Sequence, residues 1–121
     1  MVTRRVFDAG RIINPKTARS QLIGGMTRGL SLALYEHSVT DPRFGHVIDH
    51  DFAGYDIAAS ADTGSIRSHF LAGEDPHANP MGSKGIGEIS CVGTAAAIAN
   101  AVYHATGIRV RDLPITLDKQ L

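Results

Sequence analysis

The run Gly82-Ser83-Lys84-Gly85-Ile86-Gly87-Glu88 places three glycines, one cation and one carboxylate within seven positions. Glycine lets backbone amides come close to a ligand and adopt positive φ. The run feeds directly into a small-residue helical pattern, and a helix N-terminus offers unsatisfied N–H groups and partial positive charge. Glu88 stands where loop is expected to become helix, so its carboxylate can be aimed at a group bound on the loop. The order Ser83-Lys84-Gly85 is not that of a phosphate-binding P-loop, which needs Gly-Lys-Ser/Thr entering the helix. Nor is it a dinucleotide fingerprint, whose glycines follow a strand directly within a parallel unit. Taken alone, a tight helix start is the simpler reading, since acidic residues are favoured in any first helical turn.

Other polar residues carry less. Gln21 heads a glycine pair, Gly24 and Gly25, and its amide can donate to an anionic or pterin-like group that the glycines let in. A solvated helix residue would look the same. His46 and His50 lie among Asp49 and Asp51, but in an expected strand, where residues four apart share a face and stand far from each other. A two-histidine metal site favours helical spacing, so this is read as a polar strand face. Cys91 falls in the expected first turn of the second helix, with no histidine near it in sequence, and reads as a small core residue.

These residues must be held by a single unit, residues 1–121. Hydrophobic residues make up 43% of the chain, enough for a core. Twelve basic residues balance twelve acidic ones, without the basic excess of a nucleic-acid surface. One cysteine excludes an internal disulfide, and no apolar stretch is long enough to cross a membrane. Asp8 and Gly10 interrupt the region where a signal peptide would carry its apolar block.

Residues 2–6 read as a strand, and Asn14-Pro15 as a helix cap and first turn. The helix is expected over residues 16–36, with Leu22, Met26, Leu30, Ala33 and His37 as its buried stripe. Gly24, Gly25 and Gly29 weaken it by about 1 kcal/mol each, which makes sense if something packs closely there. Asp41-Pro42-Arg43-Phe44-Gly45 reads as a hairpin turn leading to a strand over residues 48–52. Residues 65–71 read as another strand, with Ile66, Ser68 and Phe70 on one side. An ordered polar loop over residues 72–87 precedes a helix over residues 88–105, stopped by Gly107, with Val92, Ala96, Ala99 and Tyr103 inward. The sum is α+β: two long helices packed on a small antiparallel or mixed sheet.

Together these segments resemble the molybdenum-binding subunit of the xanthine dehydrogenase/aldehyde oxidase family. Residues 82–101 are similar to the end of that subunit, as are Asp8-Ala9-Gly10-Arg11-Ile12-Ile13-Asn14-Pro15, Gln21-Leu22-Ile23-Gly24-Gly25-Met26 and Phe52-Ala53-Gly54-Tyr55-Asp56-Ile57. They come in the family's order and cover nearly the whole chain, with bacterial aldehyde-oxidising members closest in look.

The resemblance implies a fragment of a larger molybdopterin-binding domain and a molybdenum–molybdopterin cofactor in the complete enzyme. It implies that Glu88 is the catalytic base, removing the proton from a metal-bound hydroxyl that attacks an aldehyde or N-heterocycle carbon. It places Gln21, Lys84, Gly85, Ile86 and Gly87 against the cofactor. The implied partners are the remainder of the molybdopterin-binding subunit and iron–sulfur and flavin subunits, with cytoplasmic location expected and periplasmic the alternative. Further pterin-binding segments would lie before Met1, so the chain by itself is expected to lack turnover. The alternative is a non-enzymatic α+β module that forms a homo-oligomer or docks on a partner through surfaces its parent used internally.

Overall fold

The computed structural model describes residues 2–121. Strand β1 (Val2–Phe7) leads to helix α1 (Pro15–Leu34), strand β2 (Ser65–Phe70) and helix α2 (Thr94–Thr106), and a 3-10 turn (Leu117–Gln120) closes the chain. The two strands pair in parallel, from Val2 opposite Ser65 to Phe7 opposite Phe70. This corrects the antiparallel expectation. Parallel strands need a long crossover, usually helical, and α1 with the irregular segment after it supplies one.

The expected strand over residues 48–52 does not form. Around the turn only one antiparallel bridge exists, Thr40 with Val47. Aspartates then divert the backbone into local turns: Asp51 accepts from Ala53 N at 3.0 Å through its side chain and from Tyr55 N at 2.9 Å through its carbonyl. His46 and His50 therefore sit in irregular chain, and Phe52 is exposed.

Helix α1 starts as its sequence dictates. The Asn14 side chain accepts from the amides of Lys16 and Thr17, with Pro15 in the first turn. Leu22, Met26, Leu30 and Ala33 are buried, whereas His37 lies past the helix end and is exposed. Burying each large member of this stripe contributes about 1.5–3 kcal/mol. Leu22 and Met26 join Phe7 in one cluster; Leu30 and Ala33 meet Ile98 and Ile115 in another. Ile115 is held there by its own amide, which donates to the Ala33 carbonyl at 2.7 Å.

Helix α2 begins at Thr94, later than the sequence suggests. Gly93 has φ of +76°, which interrupts right-handed helix, and residues 88–93 form turns instead. The later start rotates the inner face: Thr94 and Ile98 are buried, while Val92, Ala96 and Tyr103 of the expected stripe are exposed. Gly107 ends the helix as expected, left-handed, its amide donating to Tyr103 O at 2.8 Å.

Two of the three α1 glycines are explained by close packing. A Cβ at Gly29 would stand 2.6 Å from Thr94 Cβ, and one at Gly25 would stand 2.1 Å from Ser90 Oγ. Gly24 faces open space. Gly29→Ala is expected to destabilise the fold by about 1–3 kcal/mol through overpacking. Gly24→Ala is expected to stabilise it by up to about 1 kcal/mol through helix propensity. Urea unfolding of the two variants checks this, and equal effects would show that the contact with Thr94 does not decide the glycine.

Candidate functional site

The glycine-rich segment is fastened before it becomes open. Ser83 bridges Gly10, with Lys84 N donating to Ala9 O at 2.9 Å and Arg11 N donating to Gly82 O at 2.8 Å. Gly10 has φ of +61°, and a Cβ there would lie 2.4 Å from Gly82 O, so only glycine permits this crossing. The Lys84 ammonium reaches Asp8 at 2.9 Å and Asp75 at 3.3 Å. What Lys84 leaves for a ligand is its stem and backbone, since its charge is engaged by these two carboxylates.

Past Lys84 the backbone is exposed. Gly85 and Gly87 have nothing within 4 Å of where a Cβ would stand. The Gln21 amide nitrogen donates to Gly87 O at 2.6 Å, pinning the loop to α1. Glu88 follows, its Oε1 accepting from Arg28 Nη1 at 2.5 Å. Both side chains of this pair are mostly exposed, at 74% for Glu88 and 63% for Arg28. Glu88 and Cys91 both precede α2, which corrects the expectation that its first turn contains them.

Gln21, Gly24, Gly25 and Arg28 recur at spacings of three and four, so they line one face of α1. With Gly87, Glu88 and Cys91 they enclose a cleft of about 190 Å³. A larger cleft of about 380 Å³ adjoins it, with apolar walls that include Ile12, Ile13 and Ile86 and polar groups from Asn14, Ser83 and Lys84. Gln21 lines both. Of the residues named from sequence, Gln21, Gly87 and Glu88 therefore converge in the smaller cleft. Gln21, Lys84 and Ile86 line the larger, and Gly85 stands outside both linings.

Sequence reasoning missed Arg28. Its signal was available, because Arg28 lies two turns after Gln21 on the face that the glycines mark. It also missed Arg5, whose guanidinium reaches the turn after Glu88 from β1, a contact with no local signature. Among the described residues, no group of three or more His, Cys, Asp or Glu side chains is arranged to hold a metal ion.

The architecture and this loop coincide with a known class. The molybdopterin cofactor-binding domain family matches residues 3–64, and the chain belongs to that family. It is 57% identical over 116 residues to the aldehyde oxidoreductase molybdenum-binding subunit of Escherichia coli strain K12, covering 96% of this chain and 16% of that protein. It is 36% identical over 111 residues to the xanthine dehydrogenase molybdenum-binding subunit of Escherichia coli O157:H7, covering 92% and 15%. Among solved structures, quinoline 2-oxidoreductase from Pseudomonas putida 86 superposes with a TM-score of 0.85 at 28% identity, over 96% of this chain and 15% of that one. The chain thus spans about a sixth of the length of these relatives.

The side-chain ties at the head of the loop are electrostatic. The hydrogen bond from Lys84 holds the Asp8 and Asp75 carboxyls below their ordinary range, and Asp8, then Asp75, hold the Lys84 ammonium above its own. Carboxyl groups lowered by folding stabilise the protein above their ordinary pKa, and that share is lost as pH falls through the lowered values. A raised ammonium stabilises at and below its ordinary pKa, and its share is lost as pH rises through the raised value. Lys84→Met should therefore melt at a lower temperature than the parent near neutrality. The gap should close in acid and again in strong alkali, and it should be modest because these groups are exposed. Melting curves across pH check this, and a gap independent of pH would assign the tie to packing rather than charge.

Proposed function

We propose that this chain is the C-terminal portion of the molybdenum-binding polypeptide of a molybdenum hydroxylase that oxidises an aldehyde or N-heterocycle. In this reading Glu88 is the catalytic base, and Gln21, Lys84, Gly85, Ile86 and Gly87 form part of the molybdopterin cradle. The remaining polypeptide, with iron–sulfur and flavin partners, completes the enzyme. The observation that carries the reading is the meeting of Gln21 and Gly87-Glu88, which are far apart in sequence, in one cleft.

The residues present fit the edge of a polar heterocycle. Gly85 and Gly87 leave backbone uncovered, and Gln21 commits its nitrogen to Gly87, which leaves Oε1 to accept from a ligand N–H. The isoleucines of the larger cleft cover an apolar ring face and exclude water. When bound, the molybdenum–pterin group supplies the redox chemistry. The chain's own part is proton handling. Arg28 engages Glu88 Oε1, which leaves Oε2 to take the proton.

Mixing this chain with the remaining polypeptide and cofactor, then measuring aldehyde oxidation, tests the proposal. Glu88→Gln should lower kcat by about 10²–10⁴-fold, the usual range for a lost general base, with pterin content unchanged. Gln21→Ala should instead lower the pterin retained. Undiminished turnover in Glu88→Gln would remove the base from the scheme.

A second reading is favoured by one observation. Val2 and Val6 on the outer face of β1 are 67% and 57% exposed. A two-stranded sheet is marginal alone, and these exposed valines, beside Arg4, Arg67 and His69 on the same face, suit a sheet that a second copy covers. Sedimentation of the isolated chain discriminates: an oligomer that takes up no pterin even beside the remaining polypeptide supports the second reading.

A further inference from the structure

We propose that Arg5 is a positioning residue for Glu88, acting through the turn that follows it; this rests on the reading of Glu88 as the base. Arg5 is half-buried on the inner face of β1. Its Nη1 donates to Ser90 O at 3.0 Å, Val92 O at 2.6 Å and Thr94 Oγ1 at 2.9 Å. One guanidinium nitrogen therefore gathers three oxygens from the segment that joins Glu88 to α2.

Beyond the inward packing of Ile89 and Ser90, that segment has few ties that define its shape. It belongs to no helix or strand. Its internal bonds are Cys91 N to Glu88 O, Thr94 N to Cys91 O, and Thr94 Oγ1 to Ser90 O. The Val92 carbonyl has no other donor among the described residues. The anchor, by contrast, is stiff. Arg5 is opposite Ser68 in the parallel ladder, and its guanidinium lies over the ring of buried Phe7, 5.6 Å from the centroid. Gly93 confirms how closely the guanidinium fits, since a Cβ there would lie 3.1 Å from Arg5 Nη2.

Charge-assisted bonds to carbonyls fix geometry more strongly than neutral ones. Ser90 is fully buried and stands two residues after Glu88, so a turn held at Ser90 and Val92 cannot shift without moving the Glu88 backbone. A displacement of about 1 Å at a reacting group can cost about 10²-fold in rate. Arg5 thus transmits the rigidity of the sheet to the carboxylate without touching the cleft.

The test is a double-mutant cycle in the complex of this chain with the remaining polypeptide and cofactor. Arg5→Met should lower kcat by about 10–10²-fold, with KM and pterin content little changed. Arg5→Lys, which keeps a charged donor, should recover most of that loss. In the Glu88→Gln background Arg5→Met should add nothing, because a residue that works through Glu88 has no effect once Glu88 is gone. In the full chain alone, hydrogen exchange over residues 88–94 should accelerate in Arg5→Met while amides inside α1 stay protected. If Arg5→Met does not fold, Thr94→Val removes one of the three acceptors and should show a smaller kcat loss, again silent beside Glu88→Gln. Additive losses in the double variant, or an unchanged kcat in Arg5→Met, would overturn the assignment while leaving Glu88 as the base. An active Glu88→Gln variant would instead show that the reading beneath it is wrong.

Discussion

The missing β-carbons of Gly25 and Gly29 set the distance between α1 and the segment that carries Ser90 and Thr94. At Gly29 a methyl group would overlap Thr94, which is 1% exposed and has no room to move. Each glycine weakens the helix by about 1 kcal/mol relative to alanine. In return, the turn after Glu88 lies directly on the helix surface. That approach puts Gly87 within reach of Gln21 and Glu88 within reach of Arg28. A wider separation would leave both helix side chains facing solvent, and the smaller cleft would not exist.

The loop that results is firm at both ends and open between them. Before it, Lys84 is tied to Asp8 and Asp75, and its backbone is bridged to the chain beyond β1. After it, Ile89 packs on the cluster of Phe7, Leu22 and Met26, and Arg5 collects the carbonyls of the turn. Only residues 85–87 lack such ties apart from the bond from Gln21. Binding sites gain from this division, since the flanks bear the ordering entropy at folding and the open backbone meets the ligand already in shape.

What the sequence revealed depended on how local each signal was. The Asn14-Pro15 helix start, the α1 stripe from Leu22 to Ala33 and the Gly107 stop are written in adjacent or helically spaced residues, and the structure follows them, though not as far as His37. The close packing at Gly25 and Gly29 was legible because repeated glycines in a helix demand an explanation. The strand direction was not, because the alternation of Ile66, Ser68 and Phe70 is the same in either sense. The start of α2 was missed for a related reason. A helix-compatible run of small and apolar residues starts at Glu88 and leads straight into the alanines, whereas Thr94 meeting Gly29 and the left-handed Gly93 fix the true boundary. For the candidate site, Gln21 and Glu88 were marked by their glycine neighbours and given expected roles by resemblance, Arg28 was readable by helical spacing, and Arg5 was invisible without the fold.

The exposure of Glu88 and Arg28 has a physical consequence for what this chain can do unaided. An ion pair so open to water is worth little, since solvent screens it and two long side chains must be ordered to form it. The same pair covered by further polypeptide would sit in a lower dielectric, where the attraction is several times stronger. The relatives are about six times longer than this chain, so they have material to supply such a cover. The backbone that carries Glu88 is already fixed by contacts within this chain: Gln21 on one side, Arg5 on the other, and Ile89 in the core. Geometry is therefore set within this chain, and the strength of the electrostatics would rise with any polypeptide that covers the pair.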